Sequence, residues 1–235
     1  MPDYQNYLLA RMSQSDLRVL KPSLEPVELE AGIQVEQANK PIEYLYFPES
    51  GLLSVIAFSG DQHVEVGVIG REGVSGLAVI LGNDRSPHAC SVQVSCKAHR
   101  LPADVLSMLM KRSLSLNELM TLYANNFLIQ STYTALANAQ ADIEERLARW
   151  LLMSQDRVGK EVPLTHEDLA VLLGVRRAGI TETLNALEKK MLIRTSRGRI
   201  IIADRPGLKR IAGKFYGVPE VEYTRAIQSA RVGAG

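Results

Sequence analysis

Residues 163–199 read PLTHEDLAVLLGVRRAGITETLNALEKKMLIRTSRGR, and their spacing decides how the rest of the chain is read. Thr165, followed three residues later by Asp168, is a helix start in which each side chain accepts from the other's backbone amide. Leu169, Ala170, Leu172 and Leu173 give that helix an apolar side, and Gly174 supplies the left-handed residue at which it stops. Ile180, Leu184, Leu187 and Met191, spaced by four, three and four, predict a second helix with one buried face. The opposite face carries Arg177, Ala178, Thr181, Glu182 and Asn185, and small Ala170 lies where the two helices cross closely. This is helix-turn-helix spacing, in which the second helix offers its exposed N-terminal face to the major groove of duplex DNA. Arg194–Ile202 reads as a hairpin turning at Gly198 between Arg197 and Arg199, a basic wing suited to phosphates. The competing reading of the same residues is an ordinary helical hairpin with a solvated basic face.

Charge follows the same division. The formal net charge of +1 hides an asymmetry: residues 1–141 hold 10 Lys/Arg against 14 Asp/Glu, whereas residues 142–214 hold 15 against 10. The basic part therefore coincides with the helix-turn-helix, as a phosphate-facing module requires. At 235 residues and 46% hydrophobic content, the chain is long enough for one large or two ordinary domains. No run approaches the length of a membrane span, and MPDYQNYLLA lacks a basic segment followed by an apolar core. No membrane partner is expected. Two cysteines, Cys90 and Cys96, suit a reducing cytoplasm better than a disulfide scaffold, so a cytoplasmic location is expected.

Gly and Pro spacing supplies the domain plan. Glycines recur from Gly32 to Gly82 between short apolar runs, Tyr44–Phe47, Leu52–Phe58, Val64–Ile69 and Ser91–Cys96, which predicts many short strands in a sandwich or roll. A short helical stretch around Tyr7–Leu20 precedes them. From Ala103 to Val158 there is neither Gly nor Pro, so long helix is expected. Leu122, Ile129, Leu136 and Ile143 are seven apart, while Leu116, Met120, Tyr123, Phe127 and Gln130 step by four and three. A helix apolar on two sides fits packing on its own sensor domain with one face and on a twin helix with the other, and the second set is assigned to the dimer helix. The alternative is a single long core helix. Asp142 marks a break, and residues after about Lys214 read as a weakly specified tail. The fold class expected is α+β: a β-roll or jelly-roll sensor over 1–112, a long dimerisation helix over 113–141, and a winged helix-turn-helix over 142–235.

That order of parts resembles the catabolite activator (Crp/Fnr) family of bacterial transcription regulators over about residues 10–212. The resemblance is carried most by LTHEDLAVLLGVRRAGITETLNALEKKMLI and ADIEERLARWLL, and also by YFPESGLLSVIAFSGDQHVEVGVIGREGVSGL. It implies a homodimer on a two-fold symmetric double-stranded DNA operator, each recognition helix entering one of two successive major grooves. It also implies that Thr165 and Glu167 contact phosphate and that Arg177 reads a base, an Arg there being suited to guanine O6 and N7. Ala178 and Glu182 stand where the family commonly has Glu and Arg, so the operator should depart from the activator's usual site. Arg176 and Arg199 are expected to hold phosphates, which position without specifying. An activator of this kind also meets RNA polymerase, through a patch that the sequence does not single out.

In cyclic-nucleotide-binding members of the family, a Gly-Glu pair opens a short helix and an Arg-Ser/Thr pair follows. The matching positions here are Gly76-Leu77 and Arg85-Ser86. Leu77 offers no acceptor for a ribose hydroxyl, so control by cyclic AMP is not expected, and an unidentified small effector in the cyclic-nucleotide-binding-like roll or no effector at all remain the alternatives. Oxygen-sensing relatives hold an iron–sulfur cluster on four cysteines, and this chain has two. If Ser91–Ser95 continues one strand, Cys90 and Cys96 lie roughly 20 Å apart at about 3.3 Å per residue, and both read as buried small hydrophobes. No metal or cofactor is expected. Catalytic motifs are missing, with no phosphate-cradling Gly-Lys-Ser/Thr loop, nucleophile elbow or H-E-x-x-H, so the chain is not expected to be an enzyme. The reading from another class is a small-molecule or cyclic-nucleotide sensor whose C-terminal domain makes protein contacts only.

Overall fold

A computed structural model describes residues 4–229. A 3-10 turn at Leu9–Arg11 and helix α1 (Gln14–Leu20), capped by Ser13, occupy the short helical stretch at the start. The glycine-punctuated runs then form β1 (Glu25–Leu29), β2 (Gln34–Glu36), β3 (Tyr44–Pro48), β4 (Leu52–Ser59) and β5 (Gln62–Ile69). After the single turn α2 (Leu77–Ile80) come β6 (Ala89–Val94) and β7 (Cys96–Pro102). Two sheets result, one ordered β2-β6-β4-β5 and the other β1-β7-β3. Leu53, Val55, Ile69, Cys90, Val92, Cys96 and Ala98 fill the space between them.

The run Ser91–Cys96 is not one strand. The chain leaves the first sheet after Val94 and enters the second at Cys96, which returns both cysteines to the same core. The separation expected from a continuous strand is therefore wrong. Both are free thiols; burial raises Cys90 well above the usual thiol range and pushes Cys96 up to about 12. Thiols so held stay protonated and behave as small apolar groups.

The stretch without Gly or Pro divides into α3 (Ala103–Met110), α4 (Leu114–Gln140) and α5 (Ile143–Val158). Asp142 caps α5 by accepting from Glu145 N at 2.8 Å, while Glu145 Oε2 accepts from Asp142 N at 2.9 Å. β4 explains how the parts join. Leu52, Leu53, Ser54 and Val55 are all buried, so both faces of this strand are covered. Leu53 and Val55 face the second sheet, while Leu52 joins Val68, Trp150, Leu151, Leu169 and Leu184 in one core. The apolar interior thus runs unbroken from the sheet into the C-terminal half.

That half continues with β8 (Glu161–Val162), α6 (His166–Leu173), α7 (Arg177–Lys189), β9 (Ile193–Ser196), β10 (Arg199–Ile202) and α8 (Arg205–Ala212). Last comes α9 (Val218–Ser229), a helix where a weakly specified tail is expected. α9 packs on α4 and places Ile227 and Tyr223 in the core beneath α1, α2 and α4. Tyr223 Oη also donates to Glu72 O at 2.7 Å. Two apolar contacts four residues apart, plus one long-range hydrogen bond, are enough to order a segment whose local pattern is weak.

One close approach fixes α4 against the sheet. A Cβ at Gly67 of β5 would lie 2.6 Å from Phe127 Cζ and 3.1 Å from Gln130 Oε1. Gly67→Ala is expected to destabilise the fold by about 1–3 kcal/mol through overpacking. Differential scanning calorimetry should show the melting temperature lowered by roughly 2–4 °C per kcal/mol. An unchanged melting temperature would mean that α4 is not seated so tightly.

Candidate nucleic-acid interface

The reading head is assembled from local signals. Thr165 begins α6 with a reciprocal cap: its hydroxyl accepts from Asp168 N at 3.2 Å, and Asp168 Oδ2 accepts from Thr165 N at 2.8 Å. α6 ends at Gly174 in the left-handed conformation (φ 61°), which turns the chain at once into α7. Ile180, Leu184 and Leu187 are fully buried under α7. Met191, expected on that buried face, lies past the helix end, 79% exposed and left-handed at φ 59°. It serves as the terminating residue, a place usually taken by Gly.

The opposite face of α7 is open. Arg177, Ala178, Glu182 and Asn185 are exposed, and Thr181 is half-buried. Thr181 Oγ1 lies 3.1 Å from His166 Nδ1, so the first motif helix holds a residue of the second. Nothing in the sequence distinguishes His166, one of four scattered histidines. Glu167 Oε2 lies 3.6 Å from Arg177 Nε, with both side chains mostly in solvent, so this pair is weak and readily exchanged for another anion.

Strands β9 and β10 form the expected hairpin, with Arg199 opposite Ser196 and Gly198 left-handed at the tip. β8 joins the far side of β10, completing a three-stranded wing. Glu188 at the end of α7 ties the wing down, accepting from Thr195 N at 2.7 Å and from Thr195 Oγ1 at 3.0 Å, which lowers its pKa. Arg197 lies beside the tip in solvent. Arg199 is paired with Glu161 Oε1 at 2.6 Å, so its expected phosphate would have to displace a carboxylate. Arg176, immediately before α7, is exposed. Thr165, Glu167, Arg176 and the exposed residues of α7 thus belong to one two-helix unit, with the wing beside it.

Long-range polar contacts tie the C-terminal half together and join it to the first half. Trp150 Nε1 on α5 donates to Glu65 Oε1 at 2.8 Å, and Ser54 Oγ donates to Glu65 Oε2 at 2.5 Å. Glu65 is buried, and desolvation pushes its pKa up to about 7 despite these donors and the nearby Arg149 and Arg157. Arg157 donates to Glu72 Oε1 at 2.7 Å, and buried Arg149 donates to Phe215 O at 3.0 Å and Thr134 Oγ1 at 3.1 Å. Arg146 donates to the Leu173 carbonyl at the end of α6.

The positions matched to a cyclic-nucleotide cradle lie at the start of α2 and in the loop before β6. Gly76, left-handed at φ 76°, precedes α2, and its amide donates to Glu36 Oε1 at 2.6 Å. Burial raises the Glu36 pKa, opposed by the bonds from Gly76 and Ser75. Leu77 is half-buried. The Arg85 guanidinium lies at the surface, gripped by Asp84 through two bonds of 2.9 Å, and Ser86 Oγ accepts from His88 N at 3.0 Å.

On α4, the residues assigned to the dimer helix lie against the chain's own β-roll. Leu116, Met120, Tyr123 and Gln130 are buried; Tyr123 Oη donates to Val74 O at 2.7 Å, and Gln130 bonds both Val68 N and Val68 O. Phe127 packs under Gly67. That face is occupied, so the assignment is corrected. The less covered face carries exposed Asn125, Leu128, Thr132 and Ala139 and half-buried Leu122, Ile129 and Leu136.

The fold and head together define a β-roll joined by a long helix to a winged helix-turn-helix. Residues 145–211 match the Crp-like helix-turn-helix domain, and the chain as a whole has the fold of Crp/Fnr regulators. A protein from Eubacterium rectale assigned to the transcriptional regulators of the crp/fnr family superposes with a TM-score of 0.70 at 20% identity, over 88% of this chain and 99% of its own. FixK2 from Bradyrhizobium japonicum gives a TM-score of 0.70 at 14% identity, over 81% and 98%. TTHB099, a CRP-family transcriptional regulator from Thermus thermophilus, gives 0.67 at 16%, over 80% and 97%. No curated protein sequence matches the chain. Among the described residues, no helix is long and apolar enough to cross a membrane.

Proposed function

We propose that the chain is a dimeric, non-enzymatic transcription factor of the Crp/Fnr type that binds a two-fold symmetric operator through α7 and is not controlled by cyclic AMP. The observation that carries this reading is the two-sidedness of α7. Ile180, Leu184 and Leu187 are spent on the core, while Arg177, Ala178, Glu182 and Asn185 face outward beside a wing bearing Arg197. Dimerisation through the less covered face of α4 pairs two such heads. Independence from cyclic AMP rests on Leu77 in place of an acceptor, on Arg85 held at the surface by Asp84, and on Glu36 at the Gly76 amide.

The test is a selection from randomised duplexes with the full chain. It should return a symmetric site, with log K falling by about 0.9 per phosphate neutralised as log salt rises. Arg177→Ala should relax one position of the selected site, at a cost of about 1–3 kcal/mol. Arg197→Ala should weaken all sequences alike. A module that makes protein contacts only would return no preferred sequence.

A further inference from the structure

Four threonines on the helices share one arrangement. Thr132, Thr134, Thr183 and Thr224 each donate the side-chain hydroxyl to the carbonyl four residues back, at 2.8, 3.0, 2.7 and 2.9 Å. Thr181 departs from it. Its Oγ1 lies 3.1 Å from His166 Nδ1 on α6 and, among the described residues, has no other partner. The hydroxyl is thus turned out of its own helix and held between the two helices of the head. It sits one turn beyond Arg177, flanked by exposed Ala178 and Asn185. Thr181 and His166 are each half-buried, so neither side chain is sealed off.

An imidazole against a threonine hydroxyl decides what that hydroxyl can offer. Oγ1 carries one hydrogen and two lone pairs, and a neutral imidazole has one donor and one acceptor nitrogen. Where Nδ1 accepts, the Thr181 hydrogen is used and only lone pairs remain to face outward. Where Nδ1 donates, the hydroxyl hydrogen is released and can be given to another group. The second ring nitrogen chooses between these states. His166 Nε2 has no partner among the described residues and keeps some surface in solvent. It belongs to the first residue of α6, between Thr165 and Glu167, which the regulator reading sets against phosphates. A phosphate oxygen there accepts from Nε2–H, which leaves Nδ1 as the acceptor.

We propose that His166 is a positioning residue for base reading. With Nε2–H on a phosphate, its Nδ1 accepts from the Thr181 hydroxyl, and Thr181 Oγ1 accepts from a base amino group, adenine N6 or cytosine N4, in the major groove. The assignment rests on the regulator reading and adds a class of base to it. Guanine presents O6 and N7 at the groove edge and thymine presents O4, acceptors with which a lone pair cannot bond. His166 thereby selects between two halves of the base alphabet without touching a base.

Selection from randomised duplexes with the full chain tests this, run at about pH 8, above the range in which histidine ordinarily titrates. The wild type should prefer adenine or cytosine over guanine and thymine by about 10-fold at one position of each half-site. Thr181→Val, which keeps the shape and loses the hydroxyl, should abolish that preference there alone. His166→Leu should abolish it at the same position although Thr181 is intact. His166→Asn, whose Oδ1 still accepts from the hydroxyl but which is too short to reach the phosphate, should restore it while lowering affinity for all sequences alike. A His166 that merely packs α6 on α7 would shift no single position. Melting curves establish that each variant is folded. The proposal is overturned if Thr181→Val selects the wild-type site, if His166→Leu keeps the preference, or if His166→Asn fails to restore it. It is overturned equally if the Thr181-dependent position takes guanine or thymine. A wild type that selects no site removes the regulator reading as well, whereas a selected site unmoved by these variants removes only the pairing.

Discussion

Ile129→Glu should convert the protein to a monomer and lower its affinity for the operator by at least about 100-fold. Ile129 is half-buried on the less covered face of α4, next to exposed Leu128, and half-buried Leu122 and Leu136 lie one heptad to either side. In a paired helix these seven-residue steps fall on a single seam. A glutamate there would place two like charges across an apolar contact, one from each subunit, with no partner in reach. The loss in DNA binding then follows from geometry, since the second head engages at the high effective concentration set by the first. Removing that linkage costs about 100- to 10,000-fold without altering any contact to DNA. Sedimentation equilibrium and operator titration on the same variant check both parts. A variant that remains dimeric would place the seam elsewhere, and a monomer that keeps full affinity would show that two heads are not needed.

Glu65→Gln is the second large effect, and it is a pH dependence. Burial holds the Glu65 carboxyl near 7 in the folded chain, against an ordinary 4.5. Below about 4.5 the group is protonated whether the chain is folded or not, so its full contribution is present. As pH rises through the interval to 7, the unfolded chain gives up the proton first, and folding loses about 3 kcal/mol. Glutamine keeps the shape, can accept from Trp150 Nε1, and carries no charge at any pH. Wild-type stability in denaturant should therefore fall between about pH 5 and pH 8, while the difference from the variant grows in the variant's favour. Parallel curves for the two proteins would mean that Glu65 does not titrate in this window. Because Trp150 belongs to α5 and Glu65 to β5, the same titration acts on the joint between roll and reading head.

The reading head is legible because each of its signals is local. The Thr165–Asp168 cap spans three residues, Gly174 and Gly198 mark their own turns, and one face of α7 shows as steps of four and three. What escapes depends on partners far away in the chain. Both faces of α4 look alike as apolar periodicity, and only the bonds from Gln130 to Val68 and from Tyr123 to Val74 decide which one meets the roll. α9 has little pattern of its own and is ordered by contacts with residues as distant in sequence as Glu72. The strand break at Ser95 is invisible because alternation continues on either side of it. The Glu65 and Glu36 carboxylates look like any acidic residue on a half-buried strand, until Trp150 and the Gly76 amide are seen against them.

The shared interior beneath α5 has a mechanical consequence. Because Leu52 and Val68 of the sheet are sealed by the same helix that carries the head, the head is not a bead on a string. Swinging it to another angle would return part of that oily seam to water, at about 25 cal/mol for every Å² uncovered. A few hundred Å² would then raise a threshold of several kcal/mol that any change of posture must overcome.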